Sequence, residues 1–359
     1  MNAIEIDYLA VGEDSRSGDA IAMRFGDYEN AKWKSQSVII IDGGNAKSGE
    51  ALIKHVSEVY KTDHIDRVIL SHPDGDHASG LRNVIEELKV GKIWMHRPWN
   101  HWDDLKDSIA DGRITKKSFD NTLKEAYQFA YDIEQLAVKK KITIVAPHQG
   151  LSFTVNDLPV LKVLSPGKDF YLDLIRQSQK TPEMTTNEIV AQKTFSSEKK
   201  SVQEDMTFET ENLTEKDGVT SSENDMSLVL HMNVAGTQAL FTGDVGTMGM
   251  YKALEYAVAN KIDLKTLDLF HVPHHGSRHN LSKGILLYIK SKYAVISCAP
   301  KGAPSHPSPI VTNALIRRSF VPYCTKGKLL SYHNDIVPSR PNVVKAVPLP
   351  FENYVEIPK

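Results

Sequence analysis

The stretch LSHPDGDHASG, residues 70–80, constrains this chain more than any other feature of its sequence. It follows the apolar run RVIL and places His72, Asp74, Asp76 and His77 within six positions. Burying such a group is costly unless the charges are paired or bound to a cation. Proline, aspartate and glycine also favour a simple turn, but a turn does not need a histidine at each end. We therefore interpret the cluster as part of a cation site.

The cluster lies in a loop that leaves a predicted strand. The runs SVIIIDGG (37–44) and IDRVILSH (65–72) are continuous apolar segments, which is typical of strands buried on both faces. Each is followed by a segment with apolar residues at helical spacing, and Ser48 is the predicted N-cap of the first helix. This alternation predicts an α/β fold with helices covering the sheet, and ligand sites in such folds gather at the carboxyl ends of the strands.

Histidines and carboxylates recur at the ends of other predicted strands. If these strands lie side by side, their loops converge on one edge of the sheet and form a bowl of imidazoles and carboxylates. Imidazole suits Zn, Fe and Mn, carboxylate suits Mn and Mg, and a shared carboxylate can bridge two ions about 3.5–4 Å apart. The residues in question are Asp42 after SVIII, Gly243 and Asp244 after QALFT, His274 and His275 after LDLFHVP, and His306 after YAVISCAP.

Two of these signals have simpler explanations when each is taken alone. Asp244 could be the N-cap of the helix predicted over VGTMGMYKAL. His306 could sit in a loop stiffened by the prolines of SHPSP. Their shared position behind strands favours the metal-site interpretation.

Two segments differ from the strand–helix pattern. Residues 118–141 read as one long amphipathic helix, and we expect a helical insertion over 97–140. Residues 181–223 are rich in Ser, Thr, Glu and Lys with few aliphatic residues, which predicts a mobile polar insertion that buries little apolar surface. We expect a single domain over 1–359 that contains both insertions.

Bulk composition limits the compartment and the partners. The formal net charge is −2, so a nucleic-acid contact would need a local patch, for which Arg278, Lys301, Arg317 and Arg318 are candidates. Two cysteines are too few for a disulfide scaffold and fit a reducing compartment. With no signal-peptide pattern and no apolar run of membrane-spanning length, we expect a cytoplasmic protein without membrane contact.

As a set, these motifs resemble the metallo-β-lactamase superfamily. SHPDGDH stands between IIIDGG and LFTGD, as in that family. DMSLVL, VPHHGS and SHPSP are most similar to the branch that contains the hydrolase domain of the DNA-uptake channel protein ComEC and its free-standing relatives. The resemblance runs from residue 4 to about 335, outside insertions near 97–140 and 167–223. It implies a four-layer αββα sandwich with a metal site on one edge of two packed sheets.

The resemblance also implies roles for individual residues and a divalent metal, one or two ions of Mn or Zn. A first ion would have two ligands from the cluster, a second ion would have the other two, and one later carboxylate would bridge them. Asp42 would orient a ligand loop. The choice between His274 and His275 stays open, with His275 preferred. The implied ligands are His72 and Asp74 for the first ion, Asp76 and His77 for the second ion, Asp244 as the bridge between the two ions, and His275 to complete the second site.

The sequence departs from the family pattern at the first ion. Asp74 stands where the family commonly has a histidine, and only Asn224 and Asp225 stand near the position of a further histidine ligand. Both changes replace nitrogen by oxygen, which favours Mn or Mg over a tight zinc pair, or a first site that is filled only when substrate binds. ComEC-like relatives often carry two histidines in the SHPSP motif, whereas this chain has only His306.

The expected function is a metal-dependent hydrolase acting as a phosphodiesterase or nuclease on a nucleic acid or nucleotide. Asp76 or Asp74 would orient the attacking water, and His306 would protonate the leaving group or bind the phosphate. One alternative is hydrolysis of a small ester, lactone or amide in an apolar pocket that RPWNHW (97–102) could line. Another is a non-catalytic regulatory subunit with a degenerate site. The segment 181–223 could bind a protein partner.

Overall fold

Two large mixed sheets form the centre of the molecule. The structure, a computed structural model, describes residues 1–12, 17–109, 111–182, 201–215, 220–301, 306–341 and 343–357. The strands are β1 (Ala3–Tyr8), β2 (Ala20–Glu29), β3 (Lys32–Gly43), β4 (His64–Ile69), β5 (Lys89–Trp94), β6 (Thr143–Val145), β7 (Ser152–Val155), β8 (Leu158–Ser165), β9 (Ser201–Gln203), β10 (Val229–Val234), β11 (Thr237–Phe241), β12 (Leu267–His271), β13 (Ser291–Ile296), β14 (Val321–Cys324), β15 (Leu330–His333) and β16 (Tyr354–Glu356).

Helices follow most of the parallel strands. They are α1 (Ala46–Glu58), α2 (Gly75–Glu87), α3 (Trp102–Leu105), α4 (Lys116–Ala126), α5 (Gln128–Lys140), α6 (Lys168–Gln177), α7 (Ser222–Asp225), α8 (Thr247–Ala259), α9 (Lys283–Leu286) and α10 (Pro309–Arg317). Short 3-10 turns lie at Pro98–Asn100, Lys106–Ser108 and His274–Gly276.

Each large sheet is part antiparallel and part parallel. The first has the order β15-β1-β2-β3-β4-β5-β6, and β3 to β6 run parallel. The second has the order β14-β13-β12-β11-β10-β8-β7, and β11 to β14 run parallel. β9 and β16 form a separate antiparallel pair. The parallel halves point the loops after β3, β4, β11 and β12 toward the site.

The layers follow from the alternation of side chains along the strands. In β3, Ile39 and Ile41 belong to the core between the two sheets, whereas Val38 and Ile40 belong to the core under α1 and α2. A third core lies between the second sheet and α8 to α10. The continuous apolar run of β3 is therefore buried on both faces, and the predicted αββα architecture is confirmed.

Two local predictions about helices are wrong. Asn45, not Ser48, caps α1, and its side chain accepts the backbone N–H of Ser48 at 3.0 Å. The single helix predicted over 118–141 is two helices, because Tyr127 leaves the helical region with φ −117° and ψ 43° between α4 and α5.

Part of the segment 181–223 is packed against the core. Leu213 is buried in the core with α8 to α10, and Glu204 forms a fully buried ion pair with Arg317 of α10 at 2.8 Å. Residues 201–215 therefore make buried contacts with the rest of the fold, although the composition of 181–223 predicted little buried apolar surface. Residues 183–200 and 216–219 lie outside the described residues, so the bounds of the insertion stay a prediction.

Cys298 and Cys324 are joined by a disulfide, which the low cysteine count did not predict. The bridge links the segment after β13 to the end of the neighbouring strand β14. Of the helices in the described residues, none combines the length and the apolar character needed to cross a membrane.

Candidate metal centre

The predicted polar clusters meet between the two sheets. Asp42 ends β3 and the His72–His77 cluster follows β4, both in the first sheet. Asp244 follows β11 and the paired histidines follow β12, both in the second sheet. The loops therefore converge across two facing sheets, not along the edge of one sheet as the strand pattern had suggested.

Hydrogen bonds set the tautomers of His77 and His72. Nδ1 of His77 lies 2.8 Å from Oδ2 of Asp42, a carboxylate that can only accept, so Nδ1 carries the proton. Ser71 donates its hydroxyl to the same Asp42 oxygen at 2.5 Å. That hydroxyl can then only accept from Nδ1 of His72, which lies 3.0 Å away. In the neutral form of each imidazole, Nε2 is then the nitrogen without a proton, and it faces the centre.

The paired histidines are oriented in the same way. Nδ1 of His275 donates to the carbonyl oxygen of Ser297 at 2.8 Å. Nδ1 of His274 donates to Oδ1 of Asn280 at 2.9 Å, and the Asn280 amide is fixed because its NH2 group donates to the carbonyls of residues 244 and 245. His274 and His275 hold left-handed backbone, with φ of 47° and 56°, a costly conformation that clusters at functional sites.

Asp244 stands at the centre of these imidazoles. Its Oδ1 lies 3.5 Å from Nε2 of His77 and 3.6 Å from Nε2 of His275. Its Oδ2 lies 3.7 Å from Nε2 of His274 and 4.0 Å from Nε2 of His72. Burial alone would raise the pKa of Asp244, but the imidazoles of His275 and His77 hold it well below its usual value. The carboxylate is therefore ionised.

These residues fit a divalent cation. The Nε2 atoms of His72, His77 and His275 and Oδ1 of Asp244 are buried and have no hydrogen-bond partner. Two ligand atoms about 2.1 Å from one tetrahedral ion lie about 3.4 Å apart. The contacts of Asp244 Oδ1 with His77 and His275 match that spacing. Three groups of described residues have ligand atoms within 4.8 Å of one another and could hold an ion, and each includes His77: His72, His77 and Asp244; Asp76, His77 and His275; and Asp19, Asp42 and His77.

Asp74 and Asp76 have different surroundings although they stand two positions apart. Asp76 lies in the first turn of α2, half-buried beside His77 and His275. Asp74 precedes α2 and binds the ammonium of Lys180, whose Nζ lies 3.0 Å from Oδ1. Nε2 of His72 lies 3.8 Å from Oδ2 of Asp74.

Asn224 and Asp225, the two residues near the expected position of a further ligand, both contact other groups. Asn224 lies 3.3 Å from Nδ1 of His274. Asp225 accepts the backbone N–H of Gly249 at 2.9 Å and the hydroxyl of Thr220 at 3.0 Å. Asp225 therefore anchors the start of α8.

Asp19 is a site residue that the sequence motifs did not indicate. It is buried just before β2, and Oδ1 lies 3.2 Å from Nε2 of His271. Oδ2 lies 3.8 Å from Nδ1 of His77. Burial would raise its pKa, but the charge and hydrogen bond of His271 lower it. The only signal in the sequence is an aspartate directly ahead of a buried strand.

His306 lies at the rim of the cluster. Its ring centroid is 5.9 Å from that of His274 and 6.3 Å from that of His275. Burial and these neighbouring imidazoles lower the pKa of His306 to about 4, so the ring is neutral at pH 7. Its buried Nδ1 has no protein partner.

Comparison with known families shows which family this chain belongs to. The sequence profile of the metallo-beta-lactamase superfamily matches residues 33–299, which contain every residue of the cluster except Asp19 and His306. The chain belongs to the metallo-beta-lactamase superfamily. Members are generally hydrolases that bind divalent metals, so the convergent histidines and aspartates of this superfamily hydrolase stand where an ion is expected.

Solved structures similar to this metallo-beta-lactamase superfamily chain differ in activity. A diphosphatase of the PhnP family is 9% identical, with 82% of this chain and 86% of that chain covered and a TM-score of 0.33. The metallo-beta-lactamase SMB-1 bound to 2-mercaptoethanesulfonate is 8% identical, with coverage of 75% and 83% and a TM-score of 0.32. A beta-lactamase domain protein from Burkholderia ambifaria is 12% identical, with coverage of 71% and 61% and a TM-score of 0.30. No curated protein matches the chain by sequence. At these values the likenesses indicate no substrate.

Proposed function

We propose that this chain is a metal-dependent phosphodiesterase of the ComEC-like branch. The observation that carries the proposal is the set of buried, unpartnered lone pairs on His72, His77, His275 and Asp244. Buried polar atoms without a partner are costly, and a divalent cation beside the Asp244 carboxylate would satisfy the imidazole nitrogens that bind it.

A bound divalent ion would polarise a phosphoryl oxygen and bring the pKa of a water molecule toward about 7. Residues of the chain would accept the proton of this water and hold the metal ligands in place. Asp76 is half-buried beside His77 and His275, where its carboxylate can accept a proton from the attacking water. The hydrogen bonds of Asp42 and Ser297 hold two of the imidazoles in place, so the site needs little rearrangement.

Cationic and proton-bearing groups at the rim suit an anionic substrate. The Lys180 ammonium is partly exposed, with 37% of its side chain accessible. His306 is neutral at pH 7, and the negative charge of a phosphate placed beside it would raise its pKa. The ring could then give its proton to the leaving oxygen, which is the role proposed for it from the sequence.

Three of the basic residues singled out from the sequence, Arg278, Arg317 and Arg318, have partners within the protein. Arg317 forms the buried ion pair with Glu204, and Arg318 binds Glu211 at 2.5 Å. The guanidinium of Arg278 donates to the carbonyl of residue 357 at 3.2 Å. A nucleic-acid contact through Arg317 or Arg318 stays a prediction, and the proposed substrate is defined by its phosphodiester alone.

The alternative of a small ester, lactone or amide has less support. The region 97–102 was expected to line an apolar pocket if it had that role. Instead Trp99 is buried in the core and its indole donates to Glu134 at 2.9 Å, and Trp102 packs against the same core. We therefore place phosphodiester hydrolysis first.

Hydrolysis by apo-protein reloaded with Mn or Zn tests the proposal. The substrates are bis(p-nitrophenyl) phosphate, short DNA and RNA oligonucleotides, and a chromogenic β-lactam. We expect ion-dependent cleavage of phosphodiesters and its loss in Asp76→Ala, His77→Ala and Asp244→Asn. Asp268→Asn is the matched control, because Asp268 accepts only a backbone N–H, that of Gln238 at 2.9 Å, in the same sheet. Cleavage of the β-lactam without the phosphodiesters, or activity retained in Asp244→Asn, would refute the proposal.

A further inference from the structure

A lysine ammonium occupies the position beside Asp74. Nζ of Lys180 lies 3.0 Å from Oδ1 of Asp74 and 4.6 Å from the centre of the Tyr127 ring. A cation over an aromatic face and against a carboxylate has two favourable partners at once. Lys180 and Asp74 are 106 positions apart in the chain, so the fold brings them together.

The segment that carries Lys180 is fixed by buried hydrogen bonds. The hydroxyl of Ser178 donates to Glu223 at 2.5 Å, and the backbone N–H of Lys180 donates to the Ser178 hydroxyl at 3.1 Å. The Tyr127 hydroxyl donates to the same Glu223 carboxylate at 3.2 Å. The Tyr127 side chain and the segment that carries Lys180 are therefore both held by the buried carboxylate of Glu223.

With Lys180 bound to it, Asp74 belongs to none of the groups in the described part of the chain that could hold an ion. Among the described residues, the groups with ligand atoms within 4.8 Å of one another that could hold an ion include His72, His77 and Asp244 but not Asp74. Asn224 and Asp225 contact other groups, as described above. The groups of described residues that could hold an ion therefore all share His77, and Asp74 is left outside them while Lys180 is bound to it.

We propose that Lys180 is the resident cation at Asp74, so that the protein holds a single divalent ion beside Asp244. In the proposed phosphodiesterase, to which this part of the inference is tied, Lys180 contacts the anionic oxygen that a second ion would otherwise bind. Asp74 is then a residue that positions Lys180 and not a metal ligand, which changes the role expected for it from the sequence.

Metal titration of the apo-protein, with elemental analysis after equilibrium dialysis against Mn, tests the ion count without any assay of activity. The wild type should bind one ion per chain. Lys180→Met keeps the length of the side chain but frees Asp74, and it should take up a second ion of lower affinity. Lys180→Met combined with Asp74→Asn should return to one ion. The matched control is Lys168→Met, which removes a similar exposed pair with Asp104, 3.1 Å long, and it should bind one ion.

Two ions of similar affinity in the wild type would overturn the proposal, as would a Lys180→Met titration identical to that of the wild type. The paramagnetic resonance spectrum of bound Mn gives a second readout, because the wild type should show an isolated ion and not a spin-coupled pair. Circular dichroism shows that each variant is folded.

The proposed contact between Lys180 and the substrate is tested separately, by steady-state kinetics. The double variant Lys180→Met, Asp74→Asn should raise KM for a phosphodiester about tenfold with a smaller change in kcat, because a charge-assisted contact to the substrate is lost. An unchanged KM would contradict this contact. A protein that binds one ion but cleaves no phosphodiester would refute the proposed function alone, whereas an active enzyme with two ions would refute only the present inference.

Discussion

Replacing Asp42 by asparagine should weaken metal binding without unfolding the protein. The Asp42 carboxylate accepts the backbone N–H of Ser71 at 2.7 Å, the Ser71 hydroxyl at 2.5 Å and Nδ1 of His77 at 2.8 Å. Asparagine keeps the shape and tolerates the left-handed φ of 56° at this position. It converts one acceptor oxygen into an NH2 group, however. Nδ1 of His77 must then accept, so the proton moves to Nε2 and removes the inward-facing lone pair.

The expected loss is that of a hydrogen bond supporting a metal ligand. Such losses lower metal affinity about 10- to 100-fold, which corresponds to about 1.4–3 kcal/mol. Competition with a chromophoric chelator measures the affinity, and thermal unfolding of the apo-protein checks the fold.

Asp66→Asn is the matched control for Asp42→Asn. Asp66 accepts the backbone N–H of Val38 at 2.7 Å in the same sheet, and an amide oxygen can accept that bond equally well. The metal affinity of the Asp66→Asn variant should equal that of the wild type. If Asp42→Asn binds metal as tightly as the wild type, Asp42 does not set the tautomer of His77 and the account of the site is wrong.

Three further predictions concern stability. Burial alone would raise the pKa of Asp7, but its hydrogen bond with His55 and the charges of His55 and Arg340 together outweigh that and lower the pKa to about 2. The carboxylate therefore stabilises the fold above about pH 4 and loses this contribution as the pH falls toward 2, so Asp7→Asn should cost about 2 kcal/mol at pH 7 and flatten the acid limb of urea-unfolding measurements. Glu204→Ala leaves the buried guanidinium of Arg317 without its carboxylate and should lower the free energy of unfolding by about 3–5 kcal/mol in the same measurement. A decrease below about 1 kcal/mol would contradict the packing of residues 201–215 against the core. Removal of residues 183–200, which have few aliphatic side chains, should change the melting temperature by only a few degrees, and a large fall would show that they pack against the core.

The elements and the centre of the site could be predicted because they are encoded locally. A continuous apolar run such as that of β3 has few structural solutions other than a strand buried on both faces. The carboxyl ends of such strands are where ligand residues gather, so His72, His77 and Asp244 could be placed together.

The remaining features depend on contacts between distant parts of the chain. Lys180 belongs to no motif, and only the fold shows that it reaches Asp74. Asp19 is defined by its contact with His271, far along the sequence. The predicted N-cap at Ser48 failed because Asn45, three positions earlier, is an equally good cap, and choosing between two such residues needs the position of the preceding strand.

Anomalous diffraction from crystals of the protein loaded with Mn or Zn tests the central claim most directly, since it locates the ion relative to its ligands. We predict one strong peak within about 2.0–2.3 Å of Nε2 of His77, Nε2 of His275 and a carboxylate oxygen of Asp244. A peak elsewhere, or none at a metal concentration that saturates binding in solution, would contradict the account of the site.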